Sequence, residues 1–250
     1  MTAFQYEHCP IAIRDDLRDA YRRTWDSIAE PGAWWTGAER VALAGEIRAA
    51  LDCRLCRERK AALSPYSVEG KHDRAGEGTS GLDEAAVDVV HRIVTDAPRL
   101  SRSFIEKLAA EGITDAHYVE LLGLVVSVIS VDRFHEALGL PLEPLPAPRP
   151  GAPSGYRPTS AVPDVGWVPM IPNGKAMGAE ADLYPGHGPN VIRAMSLVPD
   201  AVRRLKDLST VQYVPFEHVA NPSIEPDRAL GRSQIELVAS RVSAVNECFY

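Results

Sequence analysis

The stretch "TGAERVALAGEIRAALDCRLCRERKAAL", residues 36–63, decides the fold. Thr36 stands three residues before Glu39, the pattern of a capping box, in which a hydroxyl and a carboxylate satisfy each other's exposed backbone N–H groups. Behind that start, Leu, Val and Ala recur on one helical face. Asp52 is placed to cap a second helix through "CRLCRERKAAL", and Pro65 ends it. The stretch is therefore expected to form two helices broken near residues 51 and 52, with Cys53 and Cys56 at the start of the second.

Outward from this pair, more of the chain reads as helix. Residues 13–29 put Leu17, Tyr21 and Trp25 on one stripe, and "EPGAWW" breaks it. Residues 82–96, 100–112 and 114–139 are three further helical patterns, the last stopped by Gly139. Strand-like alternation is almost absent, so the expected class is all-α. Residues 141–174 hold ten prolines in 34 positions, which excludes regular helix or a central strand. That segment reads as an extended linker wrapped over a surface, with Tyr156, Trp167 and Met170 seeking burial. Helical character returns at 190–208 and 230–247. The division is 1–147, a helical domain with the cysteine pair; 148–184, a Pro/Gly-rich linker; and 185–250, a partial second domain.

Composition narrows the function classes. With 250 residues, 45% apolar and 24% charged, the chain can bury a sizeable core. The net charge is −7 without a Lys/Arg-rich block, which argues against nucleic acid as a partner. The start, "MTAFQYEHCPIAIRDD", lacks the apolar stretch and cleavage site of a secretory signal. The apolar run at 121–131 is short of the roughly twenty residues that span a bilayer, so no membrane is expected and the location reads as cytoplasmic. No Gly-rich dinucleotide or Walker-type loop is present, and no cofactor is expected.

Four cysteines in such a chain are not a disulfide framework. Cys9 reads as a plain free thiol. Cys53 and Cys56, at a helix start beside Arg54, Arg57 and Arg59, have the positive surroundings that favour a thiolate. Such a pair can exchange with a disulfide, or reduce a peroxide through a sulfenic acid that the second thiol resolves. Two structural thiols are the competing reading. Zinc is set aside, because it needs four ligands and no second Cys or His pair follows at normal spacing; His72 lies sixteen residues on, in a Gly-rich loop.

A second stretch repeats the design. "QIELVASRVSAVNEC" set over "ERVALAGEIRAALDC" aligns two amphipathic segments, each reaching a cysteine at Cys248 and Cys53, as an internal repeat would. Together these stretches resemble the carboxymuconolactone decarboxylase-like superfamily, and within it the AhpD-type alkylhydroperoxidases and peroxidase-related enzymes. Redox-active members carry a glutamate, a Cys-x2-Cys twelve residues on, and a histidine four residues past the second cysteine. Glu236 and Cys248 match the front of that motif. The family would continue with a second cysteine just after Tyr250 and a histidine four residues beyond. The expectation is a motif cut short, by truncation or by a selenocysteine codon read as stop. In the first copy both cysteines are present, but Val41 stands at the glutamate's place and Lys60 at the histidine's. The resemblance covers residues 34–147 and 185–250.

What it implies is an AhpD-like helical bundle, duplicated with an incomplete second copy, that reduces a hydroperoxide or disulfide substrate. The electron donor would be a thiol reductant or small redox protein, and the assembly a homo-oligomer. The candidate catalytic residues are Cys53, Cys56, Glu46, Glu120, Glu236 and Cys248, with no metal and no cofactor. By the family's mapping Glu236 is a relay base and Cys248 a resolving thiol. Glu46 is placed to face the first pair, and Glu120 to point into the bundle toward it, while Glu39 is committed to its cap. His91, after two valines, reads as a half-core histidine. The alternative function is a catalytically impaired scaffold or assembly module; a cofactor-free decarboxylase or lyase is a weaker third.

Overall fold

The computed structural model describes residues 4–7, 9–76, 81–184, 186–246 and 248. The described residues form ten α-helices and no β-strand, with one isolated antiparallel bridge between Val162 and Met170. The class is all-α. The helices are α1 (Asp15–Ala29), α2 (Gly37–Ala50), α3 (Arg54–Ala61), α4 (Glu84–Asp96) and α5 (Arg102–Leu108). They continue with α6 (Asp115–Ala137), α7 (Asn190–Arg193), α8 (Pro199–Gln212), α9 (Phe216–Val219) and α10 (Arg232–Val245).

The capping box at the start of α2 is formed. Glu39 N–H donates to Thr36 Oγ1 at 3.2 Å, and Thr36 N–H donates to Glu39 Oε2 at 2.8 Å. The break after α2 falls at the expected place, but the cap of α3 does not. Asp52 lies in the turn, and Cys53 itself is the N-cap residue, with extended dihedrals of −66° and 125°. At the far end of α6, Gly139 takes a left-handed φ of +66°, and Leu140 N–H bonds back to the His135 carbonyl at 2.9 Å. Such a reversal favours glycine, which carries no Cβ to clash.

The buried face of α6, including Leu121, Leu124, Val125, Val128 and Val131, joins one continuous apolar cluster. That cluster takes in Leu43, Ala44 and Ile47 of α2, Ala86, Val87 and Val90 of α4, and Tyr21, Trp25 and Ile28 of α1. Ala201, Val202 and Leu208 of α8 belong to it as well. A Cβ at Gly123 would lie 2.8 Å from Ala201 Cβ, so α6 and α8 approach closely there because position 123 is bare.

Residues 141–174 run without helix along the end of α1. Arg149 N–H donates to the Ala29 carbonyl at 2.8 Å, Ser154 N–H to Gly32 at 3.1 Å and Gly155 N–H to Ala33 at 2.8 Å. Of the three side chains expected to seek burial, only Met170 is buried; Tyr156 and Trp167 are exposed. The Tyr156 hydroxyl donates to Glu180, while Trp167 lines a surface groove beside Ile105 and Tyr118. The helix expected over 190–208 is two pieces. Pro199 occupies the first turn of α8, and a proline disfavours helical backbone at the residue before it, so the chain interrupts ahead of it. Among the described residues, no single helix is long and apolar enough to cross a membrane.

Candidate dithiol site

The break between α2 and α3 delivers Cys53 to the mouth of α3 and Cys56 one turn into it, and both are buried. α4 packs against them and contributes His91, which is fully buried. Its Nδ1 lies 3.2 Å from Cys56 Sγ, and its Nε2 lies 3.0 Å from Oε2 of Glu46, also fully buried. Glu46 sits on α2, so three helices meet at one hydrogen-bonded chain, Cys56–His91–Glu46.

The excursion between α3 and α4 closes the other side. His72 Nδ1 is 3.6 Å from Cys53 Sγ and 3.6 Å from Cys56 Sγ, and its Nε2 is 2.9 Å from Asp88 Oδ1. Asp88 lies one turn before His91 on α4, and there it also accepts from Arg59 and from Arg92 Nε, the latter at 2.7 Å. Asp73 pins the loop to the helix start: its N–H donates to Cys53 Sγ at 3.4 Å, and its carboxylate accepts from Arg54 N–H at 2.7 Å. Arg74 reaches Glu46 at 3.5 Å and Glu84 at 3.0 Å. The two sulfurs and one nitrogen from each histidine all lie within 4.8 Å of one another.

The two thiols are driven apart in acidity. Burial raises Cys53, but the amides of Cys56 and Asp73, with the His72 and Cys56 side chains, outweigh it and hold Cys53 down to about 6. Burial pushes Cys56 up, and the neighbouring Cys53 adds to the rise because two thiolates this close repel. His72 is lowered by burial, yet its bond to Asp88 and the nearby Cys53 raise it on balance. Asp88, despite its burial, is held well below the usual carboxylate range by His72, Arg92 and Arg59. The surroundings favour one thiolate and one thiol, and Asp88 behind the nearer imidazole draws His72 toward its charged form.

Of the residues singled out from the sequence, Cys53, Cys56 and Glu46 come together. Glu120 does not join them. It is buried at the other end of α2, where it pairs with Arg40 at 2.5 Å and accepts from Trp34 N–H at 2.6 Å. About 15 Å of helix separates Arg40 from Ala50, so its carboxylate serves the Gly32–Trp34 turn and not the thiols. Its polar partners explain why a buried acid is tolerated there.

Glu236 and Cys248 form a separate place. Glu236 accepts from Tyr213 Oη at 2.6 Å and from Arg232 Nε at 2.5 Å, and Cys248 is exposed. Both line one largely apolar cavity of about 890 Å³ under α7 to α10. The two residues that sequence reasoning undervalued are His91 and His72, at 35 and 16 residues beyond Cys56. The "DVVHRI" pattern marked His91 as inward-facing, and burial was the only signal available. Comparison with protein-family models, curated proteins and solved structures finds no match for this chain.

Proposed function

We propose that the chain is a thiol-dependent oxidoreductase that reduces a hydroperoxide or a disulfide through Cys53 and Cys56. The observation that carries this reading is the buried Cys56–His91–Glu46 chain beside a second sulfur. Nucleophile, base and orienting carboxylate stand within hydrogen-bond reach of one another, the arrangement that activates a thiol. Cys53, the thiolate, attacks the terminal oxygen of the hydroperoxide; the O–O bond breaks, and the departing alkoxide takes its proton from the His72 imidazolium. Cys56 then gives its proton to His91 and attacks the sulfenic sulfur of Cys53, releasing water and closing the disulfide. The sum is one hydroperoxide and two thiols going to one alcohol, one water and one disulfide, a two-electron change. A thiol reductant or a small redox protein returns the two electrons. In this order the first cysteine attacks, the reverse of the family's assignment, because the amides at the helix start serve Cys53.

Both sulfurs are buried, so the loop that carries His72 and Asp73 must lift for substrate to enter. The AhpD-like architecture, the duplication and a homo-oligomeric assembly belong to the same proposal. Supporting the assembly, Leu237, Val238, Val242 and Val245 are exposed on α10. The scaffold reading draws on the same exposed face and on the burial of the thiols. One experiment separates the two: hydroperoxide consumption with dithiothreitol, followed by peptide mapping of the oxidised chain. Turnover with a mapped Cys53–Cys56 disulfide is expected. No consumption, with both thiols still free after excess peroxide, would leave the scaffold.

A further inference from the structure

We propose that Cys53, Cys56, His72 and His91 together form a closed tetrahedral site for a divalent cation, with Zn²⁺ the ion their chemistry fits. This inference goes beyond the dithiol reading and does not need it to be right. A tetrahedral zinc ion with Zn–S bonds of about 2.3 Å and Zn–N bonds of about 2.05 Å sets each sulfur about 3.6 Å from each nitrogen. The observed separations are 3.6 Å, 3.6 Å and 3.2 Å, and no pair of the four donor atoms exceeds 4.8 Å.

Any one of these distances also suits a thiol hydrogen bond. The ring orientations argue for more. Each histidine turns its Nε2 to a carboxylate, His72 to Asp88 at 2.9 Å and His91 to Glu46 at 3.0 Å. In a metal-loaded site, with both thiols ionised, a proton on each Nε2 would satisfy those carboxylates and leave the Nδ1 lone pairs aimed at the point the sulfurs share. The carboxylate–histidine pairing is the support that fixes ring and tautomer at metal sites. Four potential metal ligands from three segments, the start of α3, the following loop and α4, therefore converge on one point.

The charge balance agrees. Two thiolates and a dication sum to zero, while Asp88 is faced by Arg59 and Arg92, and Glu46 by Arg74. Two soft thiolates with two imidazoles in a tetrahedron select zinc over magnesium or calcium, which take oxygen ligands. All four donors come from the protein and lie away from solvent, so no coordination position is left for substrate, which makes the ion structural. It would clamp the excursion between α3 and α4 to the bundle. A bridged pair has no thiolate to offer, so metal-loaded and disulfide forms exclude each other. Two thiolates, one hydroperoxide and two protons give disulfide, alcohol and water, and the cation leaves.

The test uses the full chain, stripped with a chelator under reducing conditions and titrated with Zn²⁺ or Co²⁺ alone. About one equivalent should bind, the Co²⁺ form should show thiolate charge-transfer and tetrahedral ligand-field bands, and Zn²⁺ should raise the melting temperature. Cys248→Ser should match the parent. His72→Ala, a loop change whose fold is checked by far-UV circular dichroism, should weaken Co²⁺ binding by more than the roughly 10–100-fold typical of a supporting residue. Binding well below one equivalent, or a Co²⁺ spectrum unchanged in His72→Ala, overturns the site. Peroxide turnover by a chain that binds no metal defeats the cation site and leaves the dithiol reading standing. Stoichiometric metal in a chain with no turnover does the reverse.

Discussion

The chain presents two cysteine-bearing stretches of similar pattern, and the fold treats them in opposite ways. At Cys53 and Cys56, the sulfurs are buried, two imidazoles face them, and each imidazole has a carboxylate behind it. At Cys248 the thiol is exposed, and Glu236, twelve residues before it, is engaged by Tyr213 and Arg232. Amphipathic spacing alone is thus a poor guide to thiol chemistry. What separates the two is long-range: His72 and His91 arrive from the excursion and from α4, and nothing within a turn of either cysteine announces them.

The sharpest way to break this contrast is to remove each thiol in turn. Cys53→Ser should reduce hydroperoxide consumption to the buffer background and Cys56→Ser should form no intramolecular disulfide, stopping at a Cys53 sulfenic acid, while Cys248→Ser should consume at the parental rate. Parental turnover in Cys53→Ser together with loss in Cys248→Ser would reverse the assignment of the two stretches.

A comparison of the two glutamates comes next. Glu46→Gln should slow turnover by up to about 10⁴-fold, the scale for losing the carboxylate that orients a catalytic histidine, whereas Glu236→Gln should leave it unchanged. Steady-state rates at saturating peroxide decide this, and equal effects from both variants would dissolve the distinction.

Stability offers a third probe. Glu120→Ala strands Arg40 beneath the Gly32–Trp34 turn and should cost about 3–5 kcal/mol in urea unfolding, the range for breaking a buried pair. Alanine at Glu236 should cost less, because the Arg232 guanidinium still donates to the His218 and Val219 carbonyls, at 2.9 Å and 3.1 Å. A small loss for Glu120→Ala would show that its pairing is loose.

The smallest effect is in pH. Because the helix-start amides and His72 favour the Cys53 thiolate, ultraviolet thiolate absorbance of the metal-free Cys56→Ser variant should rise through a midpoint below the free-thiol value of about 8.5. Reactivity should therefore increase from acid pH and level off above that midpoint. A midpoint at the free-thiol value of about 8.5 would mean that the helix-start amides do not hold the charge.

Much of the architecture was legible in the residues. The capping box at Thr36 and Glu39, the break before Cys53 and the Gly139 stop are local signals, and each is where the sequence pattern placed it. Pro199 is an equally local signal, and it splits the amphipathic pattern over 190–208 that periodicity alone joins. At the site, Glu46 was legible as an acid on the helix that leads into the pair, but its partner His91 was not. Glu120 was misplaced because a buried carboxylate at the edge of an apolar helix can serve any neighbour, and Arg40 is not near it in sequence. His91 and His72 depend on how α4 packs against α3 and on the path of a Gly-rich loop, and hydrophobic periodicity fixes neither.

The loop that carries His72 has one more consequence. Lys71 and Arg74 flank that histidine, Lys71 exposed and Arg74 half-buried, so trypsin has a cutting point on either side of it. A protease needs several residues of freely extended chain around the bond it cleaves, and a loop held at His72 and Asp73 cannot supply them. Nicking at these two bonds is thus a gauge of how firmly the cluster grips its loop, readable on a gel as two fragments that part after residue 71 or 74 of the 250.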